Sequence, residues 1–121
     1  MFRVLEARGT DVFWLDAGAD ATEGWSFVGT GERSSLPRGV ALDVARSDPT
    51  LPPFSGGWVG WLDYESGAAA AGVAVSGTVD ATDGSWLRAT RIAAFDHAAR
   101  RVWVLGTESD LPAWVAELTA V

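Results

Sequence analysis

The chain contains no cysteine, lysine, asparagine or glutamine, and a single histidine, His97. Without cysteine there is no disulfide framework and no thiolate chemistry, which suits the reducing cytoplasm and points to a cytoplasmic protein. One imidazole with no second histidine or thiol makes a poor metal site. All 9 basic residues are arginines, set against 16 acidic ones for a net charge of −7. With no basic cluster, that balance argues against nucleic acid and against an anionic membrane as partners. No apolar run approaches the length of a membrane span. The opening Met1-Phe2-Arg3-Val4-Leu5-Glu6 lacks the long apolar core of a signal peptide. Also missing are a G-x-S-x-G nucleophile motif, a phosphate-cradling glycine loop and any metal-spaced cluster.

What is present is apolar and aromatic. A chain of 121 residues makes one domain, or part of one. Its 48% hydrophobic content and 7 tryptophans describe a folded chain rather than a disordered one. The densest stretch is Phe54-Ser55-Gly56-Gly57-Trp58-Val59-Gly60-Trp61-Leu62-Asp63-Tyr64-Glu65, opened by the Pro52-Pro53 breaker. Period-two alternation puts Trp58, Gly60, Leu62 and Tyr64 on one face of a strand and Val59, Trp61 and Asp63 on the other. Large apolar groups on both faces predict a central strand, its glycines marking a bend or a close backbone approach.

Along the chain, Phe2 and Leu5 sit at helical spacing and Gly9 is placed to end a short helix. Strands are expected near residues 11–17, 25–30, 57–64, 86–96 and 101–105. Residues 31–53 are polar and proline-punctuated, with one alternating segment, Val40 to Val44, as a candidate edge strand. Ser66 to Gly72 holds four alanines between glycines and reads as a loop for want of an amphipathic face. Trp86 to His97 is the longest strand candidate, with Leu87, Ala89, Arg91, Ala93 and Phe95 on one face. Asp96 to Arg100 makes a hairpin turn. Ser109 or Asp110 caps a last helix whose Leu111, Trp114, Val115 and Leu118 form an apolar face. The expected fold is α+β: mainly antiparallel sheet, with a C-terminal helix.

Few side chains offer chemistry. His97 has the chemistry of a general base, but Asp96 beside it fits a turn cap better, and the structural role is favoured. Asp63 and Glu65 would share a strand face, as a carboxylate pair or, more simply, as a solvated strand end. Asp16 lies in an otherwise apolar strand and needs a partner, for which Arg88 and Arg91 are available. No serine has a histidine near it in sequence, so no nucleophile is assigned.

Four stretches, in order, carry a family resemblance. The Gly56–Glu65 segment resembles the G-G-W-V-G-Y-x-x-Y-E segment in the N-terminal region of component I of aminodeoxychorismate synthase, shared by anthranilate synthase component I. Phe13-Trp14-Leu15-Asp16-Ala17 is similar to that family's F-W-L-D-S strand. Gly24-Trp25-Ser26-Phe27-Val28-Gly29 is similar to its R-x-S-F-L-G strand, and Trp86 to His97 to its W-x-x-A-D-R-x-x-x-F-D-H strand.

The resemblance implies a non-catalytic N-terminal domain of an enzyme that aminates chorismate on the way to para-aminobenzoate and folate. It implies a sandwich-like half of the chorismate-utilising fold, packed on a catalytic chorismate-binding region. That region, beginning about where this chain ends, would carry the catalytic residues and the magnesium ligands. A glutamine amidotransferase would supply ammonia to the full enzyme. No catalytic residue and no cofactor are carried over to this chain. Some members bind tryptophan through a Leu-Glu-Ser motif, matched here by Leu15, Asp16 and Ala17. Ala17 lacks the hydroxyl, which favours the aminodeoxychorismate branch over the tryptophan-regulated one. The expected ligand pocket, for an aromatic amino acid, comprises Leu15, Asp16, Ala17, Trp25, Gly57, Trp58, Val59, Gly60 and Trp61. A free-standing aromatic-amino-acid-binding or assembly module is the alternative. The tryptophans exceed what one face of a small sheet can bury, so an association surface is expected, filled by the catalytic region or by a homodimer.

Overall fold

The computed structural model describes residues 1–8, 11–35, 48, 50–74 and 84–120. Eight elements follow in order: α1 (Phe2–Ala7), β1 (Val12–Leu15), β2 (Trp25–Arg33), β3 (Gly57–Leu62), α2 (Tyr64–Ala70), β4 (Gly84–Asp96), β5 (Arg101–Leu105) and α3 (Leu111–Thr119). The strands form one sheet in which every pairing is antiparallel. The class is α+β, with the helix at the C-terminal end as expected. The candidate strand Val40–Val44 lies outside the described residues. No described helix is long and apolar enough to cross a membrane.

The strand order is β1-β2-β4-β3, with β5 also paired to β4. The central strand is therefore β4 and not the Trp58 stretch. β4 is 13 residues long, and its two halves serve different partners: residues 84–89 pair with β3 and residues 92–96 with β5. β3 lies at the end of the strand order, and its Trp61 is 61% exposed. The close approach read from its glycines is real. At Gly60 a Cβ would fall 2.6 Å from the Trp86 ring, the side chain of its cross-strand partner. Gly29 is similarly covered by Phe13. An aromatic ring over a cross-strand glycine recovers the packing that the missing side chain forgoes.

β4 does not keep one alternation. Thr30 pairs with Arg91 but Gly31 with Ala89, a register shift that leaves Thr90 without a cross-strand partner. This bulge exchanges the faces. Leu87 and Ala89 consequently join Ile92 and Ala94, together with Phe13, Phe27 and Val59, on one side of the sheet. Ala93 and Phe95 lie on the other side with Leu5, Val28 and Trp114. On the first side Phe54 stands edge-on to Phe13 and Phe27, with centroids 6.1 and 5.6 Å away.

The second side is covered by α1 and α3. Trp114 is fully buried, and its indole N–H donates to the Ile92 carbonyl at 3.3 Å. Asp110 occupies the N-cap position of α3, yet its carboxylate is turned to Arg91 rather than to the helix amides. Arg91 also binds Glu117 at 3.1 Å and lies 5.8 Å from the Trp114 ring centroid. Glu117 in turn pairs with Arg8 at the end of α1. Both helices are thereby tied to the sheet and to each other.

The loop expected at Ser66–Gly72 is largely α2. Asp63 ends the strand and caps the helix, accepting from the Ser66 amide at 2.6 Å. A capping aspartate and a run of alanines, the best helix former, outweigh the flanking glycines. Glu65 lies in the first helical turn, where a negative charge is favoured. Asp63 and Glu65 thus do not share a strand face.

Candidate functional site

The chemistry-bearing residues gather where β1, β2 and β4 end together under α1. Register dictates the grouping. Ser26 pairs with Phe95, so His97, two residues on, is its diagonal neighbour on the same face. Leu15 pairs with Phe27, so the next step brings Asp16 alongside Ser26. The outcome is a hydrogen-bonded cluster. Ser26 Oγ lies 2.8 Å from His97 Nε2 and 3.2 Å from Asp16 Oδ1, and it accepts the Ala17 amide at 3.0 Å. Asp16 Oδ1 also accepts the Gly18 amide at 3.2 Å. The His97 amide donates to the Gly24 carbonyl at 3.1 Å, and the Ala99 amide to Asp96 at 2.9 Å, the turn-capping role expected of that aspartate.

Counting protons for the tautomer in which Ser26 donates to Asp16 shows what this cluster does in that state. A serine hydroxyl has one proton to give and two lone pairs to receive. Ser26 accepts from Ala17; when its proton goes to Asp16, its remaining lone pair accepts from His97 Nε2–H, the tautomer with the proton on that nitrogen. In that arrangement the imidazole is a donor toward the serine, not the base that would activate it. The carboxylate, moreover, is hydrogen-bonded to the serine and not to the histidine, the reverse of a Ser-His-Asp relay. The cluster braces the ends of three strands, and Ser26, 5% exposed, has its polar atoms satisfied within it.

Above the brace opens a cleft of about 940 Å3. The sheet supplies Trp14, Asp16, Ser26, Val28, Phe95 and His97, and α1 supplies Phe2, Arg3 and Glu6 as the facing wall. Its size and its mostly apolar lining, with a few convergent polar groups, are those of a small-molecule site. Among the described residues, no group of three or more potential metal ligands occurs.

Of the expected ligand-binding set, Asp16 lines this cleft. Its partner is Ser26, whereas Arg88 pairs with Glu32 and Arg91 with Asp110. Ala17 contributes its backbone amide to the brace. Leu15 points to the opposite face, in step with Phe13, and is 41% exposed. Trp25 is on that same opposite face, stacked on Phe27 at 6.3 Å. Gly57, Trp58, Val59, Gly60 and Trp61 belong to β3, separated from β1 by β2 and β4. Val59 joins Trp25 in the apolar cluster of the opposite face. The Ser26–His97 contact was missed because it spans 71 residues of sequence. The signal was the alternation Ser26, Val28, Thr30 set against Ala93, Phe95, His97, which becomes readable once those two strands are paired. No family model, no curated protein and no solved structure matches this chain.

Proposed function

We propose that the chain is a non-catalytic N-terminal domain of an aminodeoxychorismate synthase component I, acting in the cytoplasm. Its work is to pack its sheet against a catalytic chorismate-binding region as one half of a sandwich. Chorismate, magnesium and the amidotransferase are then the concern of that partner region. The four sequence stretches carry the family side of this reading. The observation that carries the docking side is the corner formed by β3 and α2. Trp61 is 61% and Leu62 42% exposed at the end of β3, the strand at the end of the sheet order, and Tyr64 is 84% exposed at the start of α2. Large apolar side chains left exposed this close together in sequence support an association surface.

The test is to mix the purified chain with a separately produced catalytic chorismate-binding region of this enzyme class and to size the mixture by light scattering. The expected result is a defined complex of the two, weakened at least tenfold by Trp61→Glu, a change at an exposed position that leaves the fold intact. A mixture that elutes as two independent species, or a complex indifferent to Trp61→Glu, would remove the reading.

A further inference from the structure

Among the described residues, β1, β3 and β5 each pair with a single neighbour and so present an outer edge. An edge offers a row of backbone N–H and C=O groups to any strand that can lie beside it, and charges or proline are the usual guards. β1 has only four residues and is bounded by Asp11 and Asp16. β5 opens on Arg101, with Arg100 before it. β3 has six residues, Gly57-Trp58-Val59-Gly60-Trp61-Leu62, and neither a charge nor a proline. Its most exposed side chains, Trp61 and Leu62, are apolar.

The sequence of β3 is complementary to itself. A two-fold axis normal to the sheet lays two copies antiparallel with directly opposite residues on the same face. Centred on Gly60, this sets Gly60 opposite Gly60 of the second copy, Val59 opposite Trp61 and Trp58 opposite Leu62. Trp61 and Leu62 each gain an apolar neighbour, twice by symmetry, and the two Trp61 side chains become diagonal neighbours within reach of each other. Centring on Val59 would set Trp61 opposite Gly57, and centring on Trp61 would set Val59 opposite Asp63. The net charge of −7 on each copy opposes pairing. In the Gly60 register, however, Asp63 of each copy lies opposite Gly57 of the other. The two carboxylates are then about 20 Å apart along the strand, beyond a Debye length of about 8 Å at physiological salt.

We propose that the free chain forms a two-fold homodimer in which β3 pairs antiparallel with β3 of a second copy about Gly60, joining the two sheets into one. The inference needs no catalytic region. The dimer uses the corner assigned above to docking, so the two associations exclude each other.

The test is sedimentation equilibrium of the chain alone at micromolar concentration. The parent sediments at twice the chain mass with no larger species, because a two-fold pairing closes on itself. Trp61→Lys and Trp61→Glu each set like charges diagonally across the axis and weaken the dimer about tenfold or more. Both variants keep the melting temperature of the parent when all three are diluted to monomers, since Trp61 is largely exposed. Mixed in equal amounts, the two variants form a dimer again, because opposite charges then meet across the axis. Loss of apolar surface alone would not be reversed by mixing. A parent that sediments as a monomer or as an open series of aggregates, a Trp61→Lys variant that dimerises like the parent, or a mixture that stays monomeric would each overturn the proposal. With no catalytic region in the cell, its failure is separate from that of the docking reading.

Discussion

Replacing Gly29 with alanine probes how tightly the centre of the sheet is built. The added Cβ would fall 2.2 Å from the Arg91 carbonyl oxygen and 2.6 Å from Cζ of Phe13. The ring can rotate away, but only by giving up its edge-on contact with Phe54. The carbonyl belongs to β4 at the bulge, so moving it disturbs the β2–β4 ladder that organises the fold. Overpacking of a well-packed core costs about 1–3 kcal/mol, and a backbone clash belongs at the upper end. The stiffer unfolded chain returns about 0.4–1 kcal/mol. A net loss of about 2 kcal/mol remains, which lowers the melting temperature of a domain this size by roughly 6–12 °C. Thermal unfolding followed by circular dichroism reads it directly. Gly67→Ala is the matched control: it sits within α2 with nothing within 4 Å of its would-be Cβ, so it should stabilise by up to about 1 kcal/mol. A Gly29→Ala variant melting at or above the parent would refute the close approach.

Trp114→Ala should destabilise by about 3–5 kcal/mol, read from urea midpoints, since it empties the core between α3 and the sheet. It also removes the indole donor to the Ile92 carbonyl, so Trp114→Phe should recover only part of the loss. The Asp110 carboxyl is held below its usual range by the hydrogen bonds from Arg91, despite some desolvation. The folded chain therefore binds that proton less readily than the unfolded one. The contribution is fully present above the ordinary aspartate range, near pH 4, and is lost as pH falls through the depressed value. Comparing urea midpoints at pH 7 and pH 3, Asp110→Asn should lose less stability on acidification than the parent. Asp63→Ala should remove the α2 cap at a cost of about 1 kcal/mol, visible as faster amide exchange in residues 64–70.

The antiparallel strands and the last helix were legible in the sequence because their apolar residues repeat at periods of two and of three to four, and burial enforces those periods. The bulge was not. Trp86 to His97 reads as one unbroken alternation, and the exchange of faces arises only from how Thr30 and Gly31 meet Arg91 and Ala89. Trp58 and Trp61 suggested a buried central strand because apolar residues on both faces usually mean burial on both. β3 instead lies at the end of the strand order with Trp61 largely exposed. α2 was hidden by its glycines, although Asp63, three residues before Ser66, was the signal of its cap. At the site, the need of Asp16 for a partner was legible and the identity of that partner was not. Register, a pairwise property of two distant strands, selected Ser26 over either arginine.

Chorismate amination by reconstituted parts tests the central claim most directly. Ammonia and magnesium are supplied, and product is measured for the chain alone, for a catalytic chorismate-binding region alone, and for the two together. The account predicts no product above a blank from the chain alone, and a rate for the mixture several-fold above that of the catalytic region by itself. Product from the chain alone, or a catalytic region whose rate does not change when the chain is added, would contradict it.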